Sequence, residues 1–184
     1  MKVVVVSDSH GAFKDWMKIE PFLQDADLIW HLGDVLYHGP RNPLPEGYDP
    51  ARLAERLKSF SIDYVRGNCD ADVDAQVLGL PEMSRVIEET IGNMKIVMVH
   101  GDMLQEDDEE EFAKYHRASI LLRGHTHIPK VQKREGVLVV NPGSISLPKG
   151  GSEKSFAVLY FDEPLIVEIR NIDGDVIMRE VLWI

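Results

Sequence analysis

A chain of 184 residues with 44% hydrophobic content is long enough to bury one sizeable core and predicts a single domain, residues 1–184. Its net charge of −11, with no basic face in the sequence, excludes tight duplex nucleic-acid binding and leaves a small phosphorylated substrate open. No apolar run approaches the roughly 20 residues of a membrane span, no signal segment is visible and one cysteine excludes an intramolecular disulfide, so a cytoplasmic protein with no membrane partner is expected.

The chain opens on Met1-Lys-Val-Val-Val-Val-Ser-Asp-Ser-His-Gly11. Four β-branched residues in a row predict a strand buried on both faces. Asp8 and His10 follow at its mouth, where a spacing of two turns both side chains toward one point. Ala12 to Leu23 reads as a helix with Phe13, Trp16, Met17, Ile19 and Leu23 on its apolar side, kinked or stopped early by Pro21. A strand from Leu28 to His31 leads to Asp34. This strand, helix, strand order predicts a parallel layer whose ligands gather at the carboxyl ends.

From Tyr37 to Pro50 the chain carries four prolines and two glycines, too irregular for an element. It reads either as a lid in which His38 and Arg41 meet substrate or as a rigid surface loop. Asp49 is an N-cap candidate with Pro50 at the first position of a helix to about Ser59. Ile62 to Arg66 is the third strand, leading to Asn68, and Ala71 to Pro81 reads as irregular. Ser84 to Ile91 and Met94 to Val99 flank Gly92-Asn93, a hairpin signal, and the second strand ends at His100.

The acidic run Glu106 to Glu111 starts a helix whose end carries Lys114, His116 and Arg117, as the helix dipole favours. It predicts a solvated face rather than a cation site. The strand from Ser119 ends in Gly124-His-Thr-His127. Beyond it come hairpins: Ile128 to Arg134 with Val137 to Val140, then Ser155 to Phe161, Leu165 to Asn171 and Val176 to Trp183. They predict a second, mostly antiparallel sheet packed on the first. Trp16, Trp30, Trp183 and most methionines are expected in the core or an interface.

Asp8, His10, Asp34, Asn68, His100, His125 and His127 all follow apolar runs. Any one of them is ordinary turn or core chemistry; their recurrence at five strand ends is not. Four imidazoles, two carboxylates and an amide are too many for one tetrahedral ion and suit two ions sharing a bridging carboxylate.

Asp8-x-His10, Gly33-Asp34, Gly67-Asn68-Cys69-Asp70, His100-Gly101 and Gly124-His125-Thr126-His127 resemble, in order and spacing, the calcineurin-like metallophosphoesterases. Within that family the chain is similar to small bacterial phosphodiesterases of the YfcE type, through His38-Gly-Pro-Arg-Asn42, Leu44-Pro-Glu-Gly-Tyr48, Asn141-Pro-Gly-Ser144 and Pro148-Lys-Gly-Gly151. The resemblance implies an α/β sandwich of two sheets with helices on the outer faces. It implies metal-dependent hydrolysis of small phosphodiesters by a metal-bound hydroxide. Asp8, His10, Asp34 and His127 would hold one ion, and Asp34, Asn68, His100 and His125 the other. The catalytic set would be Asp34, Asn68, Cys69 and Asp70, with His38, Arg41 and Asn68 as substrate contacts. Two divalent ions are implied, manganese first, with zinc, iron or nickel as alternatives. Relatives assemble into homodimers or homotetramers, to which the apolar end Leu182-Trp183-Ile184 could contribute.

The alternative is a metal-binding scaffold like the retromer subunit of the same fold; the complete ligand set favours an enzyme. Two departures stand out. Cys69 occupies a position where many relatives carry histidine, which implies substrates whose leaving group needs little protonation, unless the thiol only packs. Asp102 stands where a second histidine is common, and a carboxylate there would repel an anionic substrate or add a ligand or base.

Overall fold

A computed structural model describes residues 1–183. The elements are β1 (Lys2–Val6), α1 (Phe13–Ile19), β2 (Leu28–His31), α2 (Pro50–Leu57), β3 (Asp63–Tyr64), α3 (Asp72–Leu78), β4 (Val86–Ile91) and β5 (Met94–Val99). They continue with α4 (Glu109–Tyr115), β6 (Ile120–Arg123), β7 (Lys130–Arg134), β8 (Val137–Asn141), β9 (Ser155–Tyr160), β10 (Leu165–Asn171) and β11 (Val176–Leu182). No described helix is long and apolar enough to cross a membrane.

The valine run explains the layering. β1 lies inside a six-stranded sheet of order β11-β10-β9-β1-β2-β3. Side-chain alternation sends Val4 and Val6 toward Trp16 and Ile19 of α1 and Leu53 and Leu57 of α2. It sends Val3 and Val5 the other way, against Trp30, Ile96, Met98, Leu122 and Val140 between the two sheets. All four valines are fully buried, each contributing about 1.5–3 kcal/mol. The second sheet, of order β4-β5-β6-β8-β7, turns Val97, Val99, Leu121 and Val139 outward onto Ala113 and Phe112 of α4. The result is the expected two-sheet sandwich with helices on its outer faces.

β1 and β2 pair in parallel, as do β2 and β3, β5 and β6, and β6 and β8. Their carboxyl ends therefore deliver six loops to one rim. Local signals behave as their chemistry requires. Asp49 caps α2 by accepting the Arg52 N–H at 3.1 Å, and Pro21 ends α1 in a 3₁₀ turn over Glu20–Phe22.

Several expectations are corrected. β9, β10 and β11 extend the first sheet through an antiparallel β1–β9 pair and do not build a second one; both sheets are mixed. The third strand shrinks to two residues, with Val65 bridging Ser84 instead. Residues 72–78 are helical, not irregular. There the Asp74 carboxylate accepts the Ala71 N–H at 2.8 Å, Asp72 and Asp74 lie in the first turn, and Gly79 closes the helix in the left-handed conformation at φ 76°. The acidic run is not wholly solvated: Glu109 is buried, accepting from Arg123 at 2.7 Å and Lys130 at 3.0 Å. Trp16 and Trp30 are core residues, but Trp183 is 80% exposed. Ile184, part of the expected interface, lies outside the described residues.

Candidate metal centre

The seven expected ligands meet at the rim. Asp8 and His10 leave β1 through backbone hydrogen bonds that zip them to the β2 loop, Asp8 N–H to the Gly33 carbonyl (3.1 Å) and His10 N–H to the Asp34 carbonyl (2.9 Å). The β6 loop is tied in when the His125 N–H donates to Asp8 Oδ2 at 3.0 Å. Asp8, His10, Asp34, His125 and His127 all have positive φ, between 46° and 68°; outside this set only Arg117 and Glu135 do among the described non-glycine residues. Left-handed backbone costs such residues about 1 kcal/mol or more each, so strain is concentrated where the ligands converge. Two glycines allow the approach. A Cβ on Gly67 would lie 2.2 Å from Asp34 Oδ1, and one on Gly124 would lie 1.9 Å from Ser7 Oγ.

Side-chain geometry brings expected ligands, with Cys69, into three overlapping groups, Asp8 with His10 and His127, His10 with Asp34 and Cys69, and Asp8 with Asp34 and His100. Three histidines are oriented from behind: Nδ1 of His10 donates to the Tyr37 carbonyl (2.8 Å), that of His100 to Leu32 (2.8 Å) and that of His127 to Leu147 (2.5 Å). These partners assign the tautomer and leave each Nε2 to accept. The Nε2 atoms of His10 and His127 then face each other at 3.3 Å. His100 Nε2 lies 3.3 Å from His125 Nδ1 and 3.2 Å from Asn68 Oδ1. Acceptor atoms so close repel unless a cation, or failing that a proton, stands between them. Asp34 Oδ2 lies 3.7 Å from His10 Nε2 and 3.4 Å from His100 Nε2. Asp8 Oδ1 is buried without a hydrogen-bond donor, while Oδ2 accepts from Ser7 Oγ at 2.6 Å. An orphaned carboxylate oxygen amid inward-facing imidazole nitrogens fits divalent metal.

Burial alone would raise the Asp8 carboxyl, but the His127, His100 and His10 imidazoles around it hold it well below the ordinary range. Burial, and then the Asp34 carboxylate, push the Cys69 thiol up to about 12. Cys69 also donates its backbone N–H to Asp34 Oδ1 at 2.8 Å and receives the Asn68 amide at 3.4 Å. Asp70 faces backbone rather than the ligand atoms. Its Oδ2 accepts the N–H groups of Asp34 (2.8 Å) and Gly67 (2.7 Å), and Oδ1 that of Val35 (2.8 Å). Burial raises its carboxyl to about 6 against these three donors.

Supporting residues went unseen in the sequence. Ser144 and Ser146 both donate to the Asp8 carbonyl, at 2.8 and 2.9 Å, which gives Asn141-Pro-Gly-Ser144 a physical role. His31 is fully buried beneath the rim: Gly33 N–H donates to its Nδ1 at 3.2 Å, and its Nε2–H donates to Ser9 Oγ at 2.8 Å while Ser9 donates to the Val35 carbonyl. Burial pushes His31 down to about 3. No local signal could mark these residues, because their partners are distant in sequence or are backbone atoms.

A cleft of about 650 Å³ opens beside the ligands, lined by Asp34, Asn68, Cys69, His125 and His127 and by Tyr37, Arg41 and Lys149 among others. Arg41 therefore faces the site from the long loop. His38, the other expected substrate contact, does not line it; its ring packs edge-on against Tyr37 and Tyr48 at 4.8 and 5.4 Å. Asp102 lines a neighbouring cleft and is paired with Arg85 at 3.1 Å, which offsets the charge expected to repel substrate.

Comparison with known proteins identifies the family to which this fold belongs. The family described as the calcineurin-like phosphoesterase superfamily domain matches residues 1–164. Phosphodiesterase YfcE of Escherichia coli is 34% identical over 175 residues, 93% of this chain and 94% of its own. The probable metallophosphoesterase YsnB of Bacillus subtilis is 30% identical over 167 residues, 86% of this chain and 83% of its own. The solved structure of YfcE, a phosphoesterase from E. coli, matches with a TM-score of 0.87 at 31% identity, covering 99% of this chain and 100% of that one. Vps29 from Chaetomium thermophilum matches with a TM-score of 0.74 at 17% identity, covering 100% and 98%, a likeness of fold alone. The chain belongs to the calcineurin-like phosphoesterase superfamily.

Proposed function

We propose that this protein is a binuclear metal-dependent phosphodiesterase acting on small substrates. The observation that carries the binuclear reading is Asp34 Oδ2, within 3.7 Å of one inward-facing imidazole nitrogen and 3.4 Å of another. Asp8, His10, Asp34 and His127 would hold one divalent ion, and Asp34, Asn68, His100 and His125 the second. Imidazole, carboxylate and amide donors admit manganese, zinc, iron or nickel, and the family resemblance puts manganese first. Two such ions supply a water of lowered pKa and positive charge for the phosphoryl oxygens.

The chain's own residues do the rest. Asp70 fixes the Asp34 backbone, so the bridging carboxylate keeps its aim. The Asn68 Nδ2 is the uncharged donor beside the ligand cluster and can meet a phosphoryl oxygen. Cys69 stays a neutral thiol and is a poor proton donor, which favours diesters with aryl or otherwise acidic leaving groups. Exposed Val176, Met178 and Val181 on β11, with Trp183 beyond it, support a homodimer or homotetramer, which size-exclusion chromatography with light scattering checks.

The test is hydrolysis of bis-p-nitrophenyl phosphate beside p-nitrophenyl phosphate by metal-stripped protein with manganese added back. Metal-dependent turnover favouring the diester supports the reading. A preference for the monoester, or turnover indifferent to metal, contradicts it.

A further inference from the structure

The protein is acidic, with 31 Asp and Glu against 20 Lys and Arg, so a cation without a carboxylate partner is the exception. Among the described residues every lysine and arginine except Arg41, Arg117, Lys133 and Lys149 makes an ion pair. Two of these four, Arg41 and Lys149, line the same cleft beside the metal ligands, and Asp34 is the only carboxylate there. The neighbouring cleft, by contrast, carries Asp102, Glu106 and Glu109, and its cations Arg123 and Lys130 are both paired with Glu109.

The loops that carry them are tied to the centre itself. Arg41 belongs to the loop whose Tyr37 carbonyl accepts from His10 Nδ1, and Asn42 of that loop donates to the His38 carbonyl at 2.9 Å. Lys149 belongs to the loop whose Leu147 carbonyl accepts from His127 Nδ1, and its own N–H donates to the His127 carbonyl at 3.1 Å. The two histidines that face each other at 3.3 Å thus each hold one cation-bearing loop. The backbones that carry Arg41 and Lys149 are thereby tied to the ligand cluster, while both side chains are exposed and reach into the cleft.

We propose that Arg41 and Lys149 form a subsite for a second anionic group, so that the substrate is a phosphodiester with a phosphate or carboxylate on one of its ester arms. The inference rests on the phosphodiesterase reading and names its substrate class. The single charge of the diester is met at the ligand cluster, so a further anion needs further cations. A guanidinium offers a phosphate two parallel donors and an ammonium a point charge. The cleft volume lies within the range for small-molecule sites and leaves room for an arm that spans from the metals to these side chains.

The test compares p-nitrophenyl 3-phosphopropyl phosphate with p-nitrophenyl 3-hydroxypropyl phosphate, which differ only in the terminal phosphate. Metal-loaded wild-type protein is expected to favour the charged diester by roughly tenfold or more in kcat/KM, an advantage that shrinks with added salt. The Arg41→Gln/Lys149→Gln double variant should bring the ratio near one, whereas Lys133→Gln, which removes an unpaired lysine elsewhere, keeps it. Similar efficiency on both diesters, or a ratio retained in the double variant, overturns the subsite and leaves the phosphodiesterase reading intact. Turnover of neither diester overturns the phosphodiesterase reading. The subsite is then judged by binding of uncleavable propane-1,3-bisphosphonate against propylphosphonate: a tighter Kd for the bisphosphonate that the double variant loses supports it, and equal Kd values overturn it.

Discussion

The Nε2 atoms of His10 and His127 face each other at 3.3 Å while the two rings give their Nδ1–H to the backbone carbonyls of Tyr37 and Leu147. Two acceptors held at that distance are arranged for a cation. The same rings hold the two loops that bring Arg41 and Lys149 to the cleft.

The role of Asp34 should be measurable without substrate. In metal-free protein, burial is outweighed by hydrogen bonding to His100, which holds the Asp34 carboxyl below its ordinary range, and Asp34→Asn gives up this contact while keeping a residue that tolerates the φ of 57°. The metal-free variant is expected to be less stable than wild type by about 1 kcal/mol, or about 2–4 °C in Tm. Manganese at 100 times its Kd should stabilise wild type by about 2.7 kcal/mol and the variant by much less. Differential scanning fluorimetry with and without manganese reads both; a variant stabilised as much as wild type contradicts the role of Asp34.

Asp70 binds three backbone N–H groups with two oxygens. Asp70→Asn turns one acceptor into a donor that opposes an N–H inside the protein. A loss of about 2–4 kcal/mol is expected in urea denaturation, with a fall in diester kcat/KM of roughly 10–100-fold through misplaced Asp34. Wild-type stability in the variant would mean the turn does not depend on this carboxylate.

His31 sets a pH dependence. Its Nδ1 accepts from Gly33, so the folded protein requires the neutral ring, and burial pushes its pKa down to about 3. The unfolded chain takes up a proton near the ordinary histidine value of about 6.5. Between these values the unfolded state holds the extra proton, so stability is full above about pH 6.5 and falls as pH drops toward 3. The slope from this group is at most about 1.4 kcal/mol per pH unit. Urea midpoints of metal-free wild type and His31→Gln at pH 7 and pH 5 should differ accordingly, the variant losing less on acidification. Equal losses would assign the acid sensitivity to other groups.

Cys69 lies beside Asp34 as a neutral thiol. Cys69→His would introduce a proton donor of suitable pKa at that place. Turnover of alkyl diesters is expected to rise relative to aryl diesters, roughly tenfold or more. No change in the alkyl to aryl ratio would make Cys69 a packing residue only.

What the sequence revealed depended on whether a signal was local. The valine run, the Gly92-Asn93 hairpin and the Asp49-Pro50 cap are short-range patterns, and the chain forms them as expected. The seven expected ligand residues were legible because each follows an apolar run, and their side chains do converge. Sheet membership of β9 to β11 was not legible, since hairpin patterns read the same in either sheet. The helix at 72–78 was missed because seven residues burying only Ala75 and Leu78 carry little periodicity; Asp72, Asp74 and Gly79 were its available signals. Asp70 was legible as a member of the family motif, but its backbone partners at Asp34 and Val35, like the Asp8 carbonyl that Ser144 and Ser146 meet and the Ser9 hydroxyl beside His31, are brought near only by folding. Lys149 sat in a recognised stretch, yet nothing local showed that it lacks a carboxylate partner.

The most direct measurement is a titration of metal-free protein with manganese in which bound ions and bis-p-nitrophenyl phosphate turnover are read from the same samples. Two bound ions per chain are expected, with turnover rising to a plateau at the second and absent in Asp34→Asn. Two ions bound without turnover, or full turnover with a single ion, would contradict a binuclear phosphodiesterase.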